Sequence, residues 1–238
     1  MLRSLLLAAL LTAASAVPAL AAAVITFETT PVGAPSIDDA PLGLAAGYAV
    51  GPITITFGFD TDLNGVAETP GVFEHTGTEA VDAFFACNGK DTPATGFAGQ
   101  MGDFFLRGNP FANFGRLIIH YSGGTATAAS GEIWDIDAIG PATEQYRVRA
   151  FDGSGTLLAT IDSPIGNQDS GCANTQLDGK SWTFAFSGLL PGIANITIEF
   201  IGSKTNNIGL AFNNYNATGE EPVPALQHSW GRVKQLYR

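Results

Sequence analysis

Positive charge is scarce in this chain. Lys and Arg total 11 against 22 Asp and Glu, and the formal net charge is −11. Three of the basic residues, Arg232, Lys234 and Arg238, fall in the last seven positions, so the body is more acidic still. Phosphate recognition needs a basic stripe, so this balance argues against nucleic acid or anionic membrane as partner. Bound cations and neutral polymers are compatible with such a surface. Cysteine is almost absent: only Cys87 and Cys172, with no C-x-x-C and no nearby His. That excludes thiolate metal and redox motifs. In an oxidising compartment the pair predicts one disulfide between two distant loops. No G-x-S-x-G, H-E-x-x-H or P-loop is present, and His75, His120 and His228 are isolated in sequence.

Long apolar runs are missing too. The one candidate, LLLAALLTAASAV, follows the basic start MLRS and precedes the small residues PALAAA. This is the pattern of a secretory signal peptide cut after Ala21 or Ala23, and it is short of the roughly 20 apolar residues of a membrane span. Residues 1–23 are therefore expected to be a signal peptide, and the mature protein to be secreted or displayed at the cell surface. Residues 24–218 form one domain, and residues 219–238 a linker (GEEPVP) with a basic-amphipathic tail.

Helical periodicity is nearly absent, while period-two alternation recurs. ITITFGF sets Ile53, Ile55, Phe57 and Phe59 on one face. RLIIHY does so with Leu117, Ile119 and Tyr121, YRVRAF with Tyr146 and Val148, WTFAF with Trp182, Phe184 and Phe186, and NITIEF with Ile196, Ile198 and Phe200. Turn signals (DGSG, PIGN, LDGK, SKTNN) separate these runs. The expectation is an all-β, single antiparallel jelly-roll β-sandwich with little helix. Residues 60–115 carry fewer clean strands and are expected to be a loop-rich insertion or one end of the sandwich.

Three groups of residues carry chemistry. The first is DTDLNG. Asp60, Asp62, Asn64 and Gly65 fit EF-hand loop positions 1, 3, 5 and 6, and Glu68 fits position 9, but Gly71 stands where a bidentate acid is required. It is not an EF-hand. It is expected to be a strand-connecting turn in which Asp60, Asp62, Asn64 and Glu68 hold calcium, or one in which Asn64-Gly65 only supplies positive φ angles. The second is GEIWDID. The acids Glu132, Asp135 and Asp137 suggest a jelly-roll glycosidase, but alternation places Asp135 and Asp137 on one face and Glu132 with Trp134 on the other. A non-catalytic role is preferred. The third is a set of aromatics, Trp134, Tyr121 and Phe73 with Phe104 and Phe105, which would form a platform for sugar rings if exposed and which otherwise belong to the core, the commoner place for such residues.

The opening VITFE, the central GEIWDID and YRVRAFDGSGTLLATI, and the closing IGLAFNNYN resemble exported bacterial jelly-roll proteins of the carbohydrate-binding-module kind, which often carry PEP-CTERM sorting signals. The tail departs from that signal, since no hydrophobic helix with a terminal Arg cluster follows VP. The resemblance implies pairing of the first and last strands and a structural calcium held by Glu28 and Asn213. It implies a module that binds extracellular or cell-envelope glycan. A structural surface or matrix protein without a small ligand is the alternative.

Overall fold

A computed structural model describes residues 24–77, 83–86, 89–108, 114–138, 141–166 and 177–218. The expected signal peptide, both cysteines of the expected disulfide (Cys87 and Cys172) and the tail lie outside the described residues.

The described elements, in chain order, are β1 (Val24–Ile25), β2 (Pro41–Leu42), β3 (Gly47–Val50), β4 (Ile53–Asp60), β5 (Thr69–His75), β6 (Phe85–Ala86), β7 (Gly89–Lys90), α1 (Ala98–Met101), β8 (Phe104–Arg107), β9 (Arg116–Ser122), β10 (Ala129–Ile136), β11 (Tyr146–Phe151), β12 (Leu157–Asp162), β13 (Leu177–Phe186), β14 (Asn195–Phe200) and β15 (Ala211–Asn216). Among the described residues no helix is long and apolar enough to cross a membrane.

Strand order identifies the jelly roll. The hydrogen-bonded path runs β12-β11-β14-β9-β4-β5-β8-β15-β10-β13. Its halves β8-β15-β10-β13 and β9-β14-β11-β12 interleave early and late strands, and the chain steps between them at nearly every connection, as two Greek keys require. The additional pair β4 and β5 joins the two layers along one side through Gly58–Pro70 and Phe59–Thr69. β1 pairs with β15, so the first and last strands meet as expected.

The core lies between the layers and is built from the alternating positions. Ile55, Phe57, Phe59, Leu117, Ile119, Val148, Ile196 and Ile198 are at most 1 % exposed. They face Ile133, Phe184 and Phe212 of the other layer within the same apolar cluster. Phe184 and Phe212 stack at 6.4 Å. Gly131 is sequence-dictated here, because a Cβ would stand 2.9 Å from both rings. Gly131→Ala should therefore cost about 1–3 kcal/mol by overpacking, checked by chemical denaturation.

Within the stretch expected to be a loop-rich insertion or one end of the sandwich, residues 83–86 and 89–103 hold two two-residue strands and one helical turn. β6, β7 and α1 lie on the outer face of the β8-β15-β10 layer, where Ala83, Phe84, Ala86 and Met101 pack on Phe105, Trp134 and Ala211 in a second apolar cluster. This partial third layer forms one wall of the site described next.

Candidate functional site

The end of β10 departs from alternation. Ile133 and Ile136, three residues apart, are both fully buried in the core. Period two cannot place both there, so Trp134 and Asp135 both turn outward. The ladder to β13 shifts register at this point, and Asp135 takes a positive φ of 62°. Such a bulge re-aims a side chain. Asp135 Oδ1 accepts the Gly179 N–H at 2.7 Å, which ties the bulge to β13. Asp135 and Asp137 consequently share one cavity with Trp134, not the opposite face expected from alternation.

That cavity measures about 510 Å³, within the roughly 300–1,000 Å³ of small-ligand pockets. Ala83, Phe84 and Phe85 form one wall, and Tyr146, Asn206 and Asn207 contribute to the rest. Carboxylate oxygens of Asp135, Asp137 and Asp178 all lie within 4.8 Å of one another, and each residue is at most 8 % exposed. Glu144, also buried, accepts the Asp137 N–H at 3.1 Å and pairs with Lys204. Glu144 thus brings a fourth carboxylate to the cluster, together with the Lys204 ammonium. Burial, then repulsion from Glu144 and Asp178, pushes the Asp137 carboxyl up to about 7, with Lys204 opposing. Burial, then Asp137, raises Asp135 well above the usual range, against the Gly179 hydrogen bond. This cluster can hold a metal ion, and its donors are all oxygen.

A second acidic cluster is the DTDLNG turn, where Asp60, Asp62 and Glu68 oxygens also lie within 4.8 Å of one another. It too can hold a metal ion, but its oxygens are already engaged. Asp60 is fully buried and accepts the N–H groups of Asn64 (2.9 Å) and Gly65 (2.8 Å), with Arg116 at 3.5 Å. Asp62 accepts the Asn64 N–H and its side-chain amide, and Glu68 accepts the N–H and hydroxyl of Thr61. The positive φ angles belong to Leu63 (62°) and Gly65 (94°), so Asn64 is not one of the left-handed residues. Asn64 instead accepts the Val66 N–H at 2.8 Å. An Arg beside Asp60 opposes any bound cation.

Glu28 and Asn213 meet the same piece of chain, the link from α1 to β8, by hydrogen bonds. Glu28 accepts the N–H groups of Asp103 (2.8 Å) and Phe104 (3.2 Å). The Asn213 amide nitrogen donates to the carbonyls of Met101 and Phe104. Both side chains, the residues expected to hold a structural calcium, thus clamp this link through hydrogen bonds to its backbone.

The exposed platform of Phe73, Tyr121 and Trp134 does not form. These residues are 2 %, 3 % and 1 % exposed. Phe73 and Tyr121 belong to the main core and Trp134 to the second cluster. Trp134 still borders the cavity, while its indole N–H approaches Glu132 without an ordinary hydrogen bond. Glu132 itself is outside the cavity lining, held by Gln100 (2.7 Å) and the Asn214 side chain (2.8 Å). The three acids of GEIWDID are thus split, with Glu132 apart from Asp135 and Asp137. The structure adds Asp178, Glu144, Lys204 and Phe85 to the site, none of which stands out in its local sequence.

No family model matches the chain, and no curated protein matches it. Among solved structures it is similar to the enzymatically active domain of tailspike protein 4 of bacteriophage CBA120, at 15% identity and a TM-score of 0.25 over 69% of this chain. That match spans 17% of the tailspike chain. It is also similar to the K1 cleaved adhesin domain of Lys-gingipain from Porphyromonas gingivalis W83, at 10% identity and a TM-score of 0.28, covering 68% of this chain and 80% of that one. At these TM-scores neither likeness carries an argument about function.

Proposed function

We propose that this chain is a secreted, non-catalytic binding module that takes an extracellular or cell-envelope glycan at the cavity beside β10, with calcium held by Asp135, Asp137 and Asp178. The observation that carries this reading is the cavity itself, which Asp135 and Asp137 line and beside which their carboxylates meet that of Asp178. Clustered buried carboxylates are costly unless protonated or matched by a cation. An all-oxygen donor set suits a hard divalent ion, and calcium tolerates the irregular geometry of three aspartates with amide and hydroxyl neighbours. The two aspartates that burial and mutual repulsion raise would be relieved by such an ion. Sugar hydroxyls then have a natural place as further oxygen ligands. Export rests on the N-terminal segment, and the non-catalytic assignment on the separation of Glu132 from the cavity.

The test is a melting curve with calcium and with chelator, followed by a glycan array at matched calcium. Saturating calcium at about 100 times Kd should stabilise by about 2.7 kcal/mol, or several degrees. Identical curves would remove the ion, and an array without a single calcium-dependent hit would remove the glycan. A hydrolase reading keeps one observation in its favour, the Asp137 carboxyl at about 7. Release of reducing ends from a bound glycan, lost in Asp137→Asn, would establish it instead.

A further inference from the structure

The cavity has an aromatic rim that alternation hides. Phe85 is 61 % exposed, the only large aromatic among the exposed hydrophobic residues described, and it lines the cavity. Its neighbours explain why it stays there. Phe84 and Ala86 turn the other way and are buried in the second apolar cluster. Asp91, itself fully buried, accepts the N–H groups of Ala83 (2.9 Å) and Phe84 (3.0 Å). β6 also pairs with β7 through Phe85–Lys90 and Ala86–Gly89. The ring is thus held at the mouth by a pinned strand rather than carried on an unsupported loop. An apolar ring maintained in water at the edge of a pocket lined by both apolar and acidic side chains favours a ligand with both characters.

A pyranose ring has both, with an apolar C–H face and a hydroxyl edge. Charge narrows the choice further. Among the described residues lining the cavity, Asp135, Asp137 and Glu144 outnumber Lys204, with Asp178 beside them, so a bound divalent ion leaves the site no positive charge to spare. Lys204 is already taken by Glu144, so no free cation lines the cavity among the described residues to receive a carboxylate. Resting on the calcium-and-glycan reading above, we infer that Phe85 is the stacking residue of the site and that the site selects a neutral sugar ring over a uronate-bearing one. The ring lies on Phe85 while its hydroxyl edge reaches the aspartate end.

The experiment uses the full chain and Phe85→Ala and Phe85→Trp variants, on a panel of neutral polysaccharides and uronate polymers at fixed calcium. Phe85 is exposed, so equal melting midpoints will verify that the variants are folded. Calcium binding by the wild type, measured alone by calorimetry, tests the underlying reading separately. The wild type should bind a neutral member and ignore the uronate polymers. Phe85→Ala should weaken binding about tenfold, which is about 1.4 kcal/mol, and Phe85→Trp should retain it. Calcium binding combined with unchanged glycan affinity in Phe85→Ala, with uronate polymers preferred, or with no neutral member bound overturns the inference while leaving the ion in place. Absence of calcium binding overturns both.

Discussion

Arg107→Met should destabilise the protein by about 3–5 kcal/mol at pH 8, one of the largest effects of any single substitution. Arg107 is 5 % exposed on β8 and pairs with the fully buried Glu74 of β5 and with Asp39. Removing it leaves Glu74 without its counter-charge in the interior, close to Asp91 and Asp38. Burial, opposed by Arg107, already pushes Glu74 from its ordinary 4.5 to about 7. The sign of the pH effect follows. Between those two values the folded protein holds the Glu74 proton more often than the unfolded chain does, so stability falls as pH rises. The contribution is complete below about 4.5 and lost above about 7, on the order of 3 kcal/mol in all. Without Arg107 the carboxyl shifts further up, so the cost of Arg107→Met should shrink by about 1–2 kcal/mol at pH 5. Glu74→Gln should flatten the slope between pH 5 and 8, and Glu74→Gln with Arg107→Met should recover most of the loss. Urea titrations of the four proteins at both pH values measure this directly. A cost below 1 kcal/mol for Arg107→Met at pH 8 would mean that Glu74 is not held by that pair.

Glu74 and Arg107 also mark what the sequence can and cannot reveal. Alternation in ITITFGF, RLIIHY and NITIEF identifies the buried faces because each strand contributes every second residue to one core. The jelly-roll order follows from many such strands with glycine-rich turns. Glu74 sits in TPGVFEH, where four consecutive residues are buried and alternation is lost, with Asp91 of the covering segment close to Glu74. Nothing local announces that cover. GEIWDID fails for the same kind of reason: the bulge at Asp135 depends on Gly179 of a strand more than forty residues away. Asp178 lies in LDGK, which has the composition of a turn yet begins β13, and Phe85 lies in FFACNGKD, equally turn-like. DTDLNG is the opposite case. Its spacing is visible because its hydrogen bonds are local, between Asp60 and residues four and five positions on. Local motifs are conspicuous in sequence whether or not they carry the function, whereas a site assembled from five separate segments is not.

Replacing Asp137 and Asp178 together by Asn should separate stability from function in that assembled site. In chelator at pH 8, above the value of about 7 at which Asp137 ionises, the double variant is expected to melt above the wild type, because buried like charges are gone while the amides keep hydrogen-bonding capacity; about 1–3 kcal/mol is the expected scale. With calcium the order should reverse or close, since the wild type gains the binding free energy and the variant gains none. Calcium-dependent glycan binding should disappear with it. A purely structural role for these aspartates predicts otherwise: the double variant would be less stable in chelator, and calcium would move both proteins equally. Asp62→Asn provides the comparison within the same chain, because the turn is the other acidic cluster able to hold an ion. If Asp62→Asn abolishes the calcium shift and the double variant retains it, the ion belongs to the turn, where Arg116 opposes it, and the cavity must recognise its ligand without metal. If the double variant alone loses the shift, the repulsion stored among Asp135, Asp137 and Asp178 is the cost of a site kept ready for a cation, as expected where function opposes stability.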